Sequence, residues 1–290
     1  MDRHAQRIEI LNSTLAILRQ GWYTSKDGLK VTLPPIGEVM AAARMYSEPF
    51  QAQVEAEPGT TEVRVENKDC VVAAKDLIDA GYNPAMLNLA DLYVPGGLVE
   101  FGSGAQEENL CRRSNLILSL YQFSRARVRE YPDMGLVPRE EQYPMNERYG
   151  GVYSGVVTFF RGPESAGSPL EARPYNIPVI SVAAINCPRI GTDGLMCPAD
   201  ADLTVDKIRT IFRIGMDNHH DALVLSALGC GAFRNPPAHI ARLFHQVIEE
   251  EEFKDKFKLI DFAILDGYQT GMRHNPDGNL LPFQKEFGVL

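Results

Sequence analysis

Asn88-Leu-Ala-Asp-Leu-Tyr-Val-Pro95-Gly-Gly-Leu-Val-Glu-Phe-Gly102-Ser-Gly-Ala-Gln-Glu-Glu108-Asn-Leu-Cys-Arg-Arg113 is the stretch on which the reading of this chain turns. A short apolar strand ending at Ala90 runs into a glycine loop, and a helix opens near Ala105. Gly96, Gly97, Gly102 and Gly104 lie close together, a density that lets backbone amides approach a ligand with no Cβ in the way. Gln106, Glu107 and Glu108 follow at once. Alone, two acids at a helix N-terminus most often offset the helix dipole. Beside amides able to cradle phosphate, they are also the groups needed to cut a bond in a phosphate-bearing sugar nucleotide.

Outward from this stretch the chain alternates. Upstream, Glu62 to Glu66 reads as a strand and Asp69 to Ala80 as a helix stopped by Gly81, followed by the strand Met86 to Ala90. Downstream, the helix from about Ala105 to Tyr121 gives way to an irregular connection over 122–150. Then come a strand over 152–160, a Pro/Gly/Ser-rich loop over 161–177 and a buried strand from Val179 to Ile185. A helix from Thr204 to Asn218, the apolar strand Ala222 to Leu228, a helix from Ala238 to about Glu252 and a strand from Phe262 to Leu265 complete the series. Strands and helices in alternation specify an α/β sheet. Before all this, 3–20 reads as a helix ended by Gly21, Leu29 to Leu33 as a short strand and 37–46 as a second helix. The polar stretch Glu55 to Thr61 separates an N-terminal helical extension, residues 1–60, from a main domain over 61–290.

Composition narrows the function classes. A formal net charge of −9 argues against a dedicated binder of duplex nucleic acid and against attachment to anionic membrane by surface charge. An anionic ligand must therefore be held by local backbone donors. Five cysteines without CxxC spacing suggest neither a disulfide framework nor a zinc site, so no metal or cofactor is expected. The first residues lack a secretory apolar core, and no apolar run reaches the roughly 18 to 20 residues that span a bilayer. A cytoplasmic protein is the expectation, or a nuclear one if the source is eukaryotic.

A second buried strand, Ala222 to Leu228, also ends in a glycine loop, Gly229-Cys230-Gly231-Ala232-Phe233-Arg234-Asn235-Pro236-Pro237, with Asn235 placed to cap the next helix. In open α/β sheets such loops lie at the carboxyl ends of strands, where ligands bind. Neither loop matches the dinucleotide GxGxxG or the P-loop pattern. Pro95-Gly96-Gly97, then Gln106-Glu107-Glu108 after eight residues, then Gly229 to Phe233 after a late apolar strand, resembles the microbial-type poly(ADP-ribose) glycohydrolases. That resemblance implies a macrodomain-like three-layer mixed sheet flanked by helices. It also implies ADP-ribose or poly(ADP-ribose), free or attached to protein, as ligand.

Particular roles follow from the resemblance. Glu108 would be the catalytic acid and base, and Glu107 would bind ribose hydroxyls. Gly96, Gly97, Leu98 and Gln106 would line the catalytic loop, Asn88 would touch the same ribose, and Gly229, Cys230, Gly231 and Ala232 would wrap the diphosphate while Phe233 holds the distal ribose. Cleaving an O-glycosidic bond needs a proton for the leaving oxygen and a base for water, and one carboxyl serves both in turn. The pattern departs at Leu98, where a third glycine is usual, and the bulky Glu100 and Phe101 follow it. Two further readings come from that departure: a non-catalytic reader of ADP-ribose, and a hydrolase for another ADP-ribosyl conjugate. The adjacent His219 and His220 read as dipole partners at a helix end rather than as metal ligands.

Overall fold

The computed structural model describes residues 2–52, 59–266 and 271–289, so most of the polar boundary expected at 55–61 lies outside the described residues. In chain order the elements are α1 (Arg3–Gln20), β1 (Trp22–Thr24), β2 (Lys30–Thr32), α2 (Ile36–Ala41), β3 (Ala43–Tyr46), β4 (Glu62–Glu66), α3 (Cys70–Asp79) and β5 (Pro84–Ala90). They continue with α4 (Gln106–Arg113), α5 (Leu116–Tyr121), α6 (Arg125–Glu130), β6 (Gly151–Ser154), β7 (Thr158–Arg161), β8 (Leu170–Asn176) and β9 (Val179–Ala183). The last are α7 (Pro198–Asp217), β10 (Ala222–Leu225), α8 (Pro237–Ile248), β11 (Leu259–Ala263) and α9 (Leu280–Phe287).

The chain forms two compact units, one comprising Met1–Tyr46, Ala90–Met145 and Val152–Ser181, the other Ser47–Leu89, Asn146–Gly151 and Val182–Leu290. In the first, β3, β6 and the start of β9 are neighbours in that order, with β6 antiparallel to β9. In the second, β5, β10, β11 and β4 follow one another, all parallel, so this mixed α/β sheet is mostly parallel. Successive residues of a strand face opposite ways. Phe262 on β11 packs its ring on Phe244 of α8 and on Phe283 and Phe287 of α9. Asp261 faces the other side, where α3 covers the strand. Helices therefore flank both faces of these strands.

Several local readings give way to tertiary pairing. The helix expected over 37–46 ends at Ala41, because Ala43–Tyr46 is taken up as strand β3 and the Ala42 carbonyl accepts the Gly155 amide at 2.9 Å. The helix expected over 105–121 breaks at Ser114, which is extended and bridges to Phe159, while Asn115 Oδ1 accepts the Thr158 amide at 2.8 Å. The strand expected over 152–160 divides at Gly155, and the expected loop 161–177 contains β8, which pairs back on β7. Helix α7 begins already at Pro198. Asn235 does not cap α8: its side chain is spent on the Ile185, Gly229 and Phe233 carbonyls, and Pro236 takes the cap position. Helix α9, not anticipated, is started by Asp266, which accepts the Asn279 and Leu280 amides.

Asp261 is buried in β11 with Oδ1 lacking a hydrogen-bond partner among the described residues. Burial and the charge of Glu66 push its carboxyl up to about 6, against the pull of Lys68 and Arg64. A folded pKa above the unfolded one means that the native state binds the extra proton, so this residue costs stability as pH rises from about 4 through about 6. Asp261→Asn is expected to stabilise the protein at pH 7.5 by up to about 3 kcal/mol, with the gain vanishing near pH 4. Urea denaturation at the two pH values checks this; equal effects at both would contradict it.

Candidate active site

Beyond β5 the backbone reverses around two acids. Asp91 accepts the amides of Tyr93 at 2.8 Å and Val94 at 2.9 Å, and the Gly97 amide donates to Val94 O at 2.9 Å. Gly96 and Gly97 take φ of 75° and 59°, in the left-handed region. The turn aims its amides at the start of α4. Glu107 Oε2 accepts the Asp91 amide at 2.8 Å and its Oε1 accepts that of Gly96 at 3.2 Å. Glu108 Oε1 accepts the Leu98 amide at 3.0 Å.

The two neighbouring acids thus differ. Glu107, 3% exposed, is committed through both oxygens to the loop. Glu108, 6% exposed, keeps Oε2 without a hydrogen-bond partner among the described residues. Beneath them burial, and then the charges of Glu107 and Glu108, push the Cys111 thiol well up, so it stays neutral. The buried Tyr143 hydroxyl is likewise pushed up, by burial first and Glu107 next.

The loop is braced from two sides. Glu100 accepts the hydroxyls of Tyr121 at 3.0 Å and Tyr131 at 2.6 Å and pairs with Arg127 at 2.5 Å, while Arg127 lies over the Tyr121 ring. Burial, and secondarily Glu100, pushes both phenols up, which keeps them donors. On the other side α1 packs closely against the two glycines, leaving Gly102 no room beside the His4 backbone. A Cβ on Gly102 would stand 2.5 Å from His4 O, and one on Gly104 would meet the Arg7 guanidinium at 2.3 Å. Arg7 pairs with Glu164 at 2.8 Å; Glu164 also faces the buried Arg112 at 3.4 Å, and Arg112 donates to Ser103 O at 2.6 Å. Thr14 of α1 closes this side by donating to Arg112 O at 2.7 Å.

Leu98 has φ −101°, outside the left-handed region that favours glycine, and it is 55% exposed. The glycine requirement falls instead on Gly97, whose Cβ would lie 2.5 Å from Glu108 Oε1.

In the second unit Asn88 is fully buried on β5. The loop after β10 is held from inside by Asn235, whose Nδ2 donates to Ile185 O at 2.7 Å, Gly229 O at 3.1 Å and Phe233 O at 3.2 Å. Gly229 has φ 72°, and a Cβ there would meet Asn235 Nδ2 at 2.4 Å. The Cys187 amide donates to Phe233 O at 2.9 Å, and His274 Nε2 lies 2.9 Å from Cys230 O. Because the carbonyls of Cys230 and Gly231 are engaged, the second by the Arg234 amide, the trans peptides turn the Gly231 and Ala232 amides the opposite way. Cys230 is different: its amide donates to Ala227 O at 3.1 Å and its thiol is buried and pushed well up. His220 is buried with Nδ1 3.1 Å from Asn83 O, and no group of three or more possible metal ligands occurs among the described residues. No helix of the described residues is long and apolar enough to cross a membrane.

Sequence reasoning singled out the carboxylates and both glycine loops. It missed the braces, Glu100, Arg7, Arg112, Glu164 and Asn235, which lie far from one another in sequence or carry no motif. Asn235 had a readable signal, a polar residue directly before two prolines, but that pattern points equally to a helix cap.

Fold and loop together define a macrodomain-like α/β protein with a glutamate pair seated on a glycine loop. The chain belongs to the family described as microbial-type PARG, catalytic domain, whose profile matches residues 12–162. PARG stands for poly(ADP-ribose) glycohydrolase, a class of enzymes that hydrolyse the glycosidic bonds of ADP-ribose polymers. Among solved structures, the glycohydrolase from Thermomonospora curvata is 25% identical, with 97% of this chain and 98% of that chain covered at a TM-score of 0.76. The same organism's enzyme bound to the inhibitor ADP-HPD is 26% identical over 96% of this chain and 98% of that one, with a TM-score of 0.74. The glycohydrolase from Deinococcus radiodurans in complex with ADP-ribose is 25% identical over 90% of this chain and all of the other, 100%, at 0.64. No curated protein matches.

Gly97→Ala is expected to destabilise the protein by more than about 2 kcal/mol, since it adds both backbone strain and a clash with a buried carboxylate. Leu98→Gly is expected to cost less than about 1 kcal/mol. Urea unfolding of both variants measures the contrast, and equal losses would refute the assignment of the glycine requirement to Gly97.

Proposed function

We propose that this protein hydrolyses the O-glycosidic ribose–ribose bonds of poly(ADP-ribose), releasing ADP-ribose, with Glu108 as general acid and then general base. The observation that carries the reading is the unequal setting of the two acids: Glu108 is steadied through Oε1 while its buried Oε2 is left over. Protonated at Oε2, Glu108 gives its proton to the departing 2′-oxygen as the C–O bond breaks through an oxocarbenium-like state. As carboxylate it then takes a proton from the attacking water, whose oxygen bonds to the anomeric carbon. Glu107 holds the loop and offers its remaining lone pairs to ribose hydroxyls, a role also suited to Asn88. Gly96, Gly97, Leu98 and Gln106 line the loop side.

For the diphosphate, the reading relies on the amides of Gly231 and Ala232, which are turned away from the engaged carbonyls of Cys230 and Gly231. Gly231 supports it, because nothing lies within 4 Å of a Cβ built there, so internal packing does not account for the glycine. Phe233 would pack against the distal ribose. The choice of ADP-ribose rests on family membership and on similarity to glycohydrolases solved with ADP-ribose and with ADP-HPD. Two observations favour the enzyme reading over the reader: Leu98 lies outside the left-handed region, and its amide donates to Glu108. We further place α1 and the rest of the N-terminal extension as a brace of the catalytic loop. We also keep a reducing compartment such as the cytoplasm as the expected location, on the odd count and the spacing of the five cysteines.

Glu108→Gln should reduce ADP-ribose release from polymer by about a thousandfold or more, with the affinity for ADP-ribose changed less than about fivefold. A release assay with calorimetric titration tests this. Full activity in the variant would remove Glu108 from the chemistry, and a wild type that binds ADP-ribose yet never cleaves polymer would return the reader.

A further inference from the structure

The short 3-10 turn Val99–Phe101 sorts its side chains sharply. Val99 is fully buried and Glu100 is turned onto Tyr121, Tyr131 and Arg127. Leu98 and Phe101 are joined by the Phe101 amide donating to Leu98 O at 3.0 Å. In a 3-10 turn residues three apart eclipse, so these two share one face. That face is outward: Leu98 is 55% and Phe101 69% exposed. The backbone beneath is pinned by Glu100 and by α1, so two large apolar groups are held in water on rigid scaffolding. The strip starts at the residue whose amide holds Glu108 Oε1. From Asp91 to Ala105 the only charged residues are Asp91 and Glu100, with no Lys or Arg.

We infer that Leu98 and Phe101 form a leaving-group subsite that takes the adenosine departing on the 2′-oxygen, with Phe101 stacking on its base. The inference rests on the reading of Glu108 as the acid: the group that receives the proton is that adenosine's 2′-oxygen, and water supplies the hydroxyl that replaces it at the anomeric carbon. An apolar, aromatic strip suits the flat face of a nucleoside base. The subsite selects polymer over conjugates with a small aliphatic leaving group.

The test uses Glu108→Gln protein and two ligands, ADP-ribose and its dimer joined by the same ribose–ribose bond. The dimer is expected to bind about tenfold tighter than the monomer, with Phe101→Ala erasing that ratio, Phe101→Tyr preserving it and the monomer affinity unmoved. Equal affinities for dimer and monomer, or a ratio that survives Phe101→Ala, overturn the subsite. So does an ADP-ribosylated peptide that binds more tightly than the dimer through Phe101, since the strip would then read protein. If neither ligand binds, the reading of the site as an ADP-ribose site fails and carries the inference with it, an outcome distinct from equal binding.

Discussion

Glu108 and the backbone of Gly97 and Leu98 are fitted so closely that each determines the other's position. A carboxylate taken out of water must be met by donors, and loop amides taken out of water must be met by acceptors. Here the two needs cancel: Asp91, Gly96 and Leu98 donate, and Glu107 and Glu108 accept. One carboxylate oxygen is left outside this exchange. It belongs to the third residue of α4, in the helix's first turn. An acid whose other oxygen is fixed loses little freedom on reaching for a proton acceptor, and that restraint is what the surrounding structure maintains.

Several buried charged groups of the first unit serve this restraint. Arg112 is almost fully buried, and burial lowers its pKa, so its charge is tolerable only because Glu164, Ser103 O and neighbouring polar groups meet it. Glu164 is shared with Arg7, which puts α1 and α4 on one ion-pair network closed against Gly104. Arg161 extends the same logic by donating to Thr14, Ser13 and Ser168 O. Removing one member strands a charge, so the network is stiff as a whole. The N-terminal helix therefore belongs to the loop mechanically although it is distant from it in sequence.

What was legible in the sequence is what repeats locally. The glycine loops, the Gln106-Glu107-Glu108 run and the alternation of strands and helices depend on spacing along the chain, and each reappears in place. The losses came where a distant partner decided the outcome. Residues 43–46 have helical spacing but pair as β3, and Ser114 to Asn115 interrupt a helix because β7 offers them partners. Asn235 was read as a cap, yet the carbonyls of its own loop and of Ile185 claim its side chain. No pattern announces Glu100, whose three partners come from α5, α6 and the turn beyond it.

Leu98 shows the same limit in sharper form. Read as a motif, three glycines in a row invite the conclusion that each is needed, and a leucine in the third place suggests a damaged loop. The dihedrals divide the requirement. Gly96 and Gly97 take positive φ and Gly97 faces a carboxylate oxygen, while position 98 has negative φ and an outward Cβ direction, so only its amide takes part in holding Glu108. A side chain there is free to vary without moving the acid. Glu100 then explains how the variation is carried: by drawing two phenols and a guanidinium onto itself, it fixes the turn that replaces glycine flexibility with packing. The rigid turn and the exposed apolar strip thus come from the same few residues, Leu98, Glu100 and Phe101, while the Leu98 amide keeps its bond to Glu108.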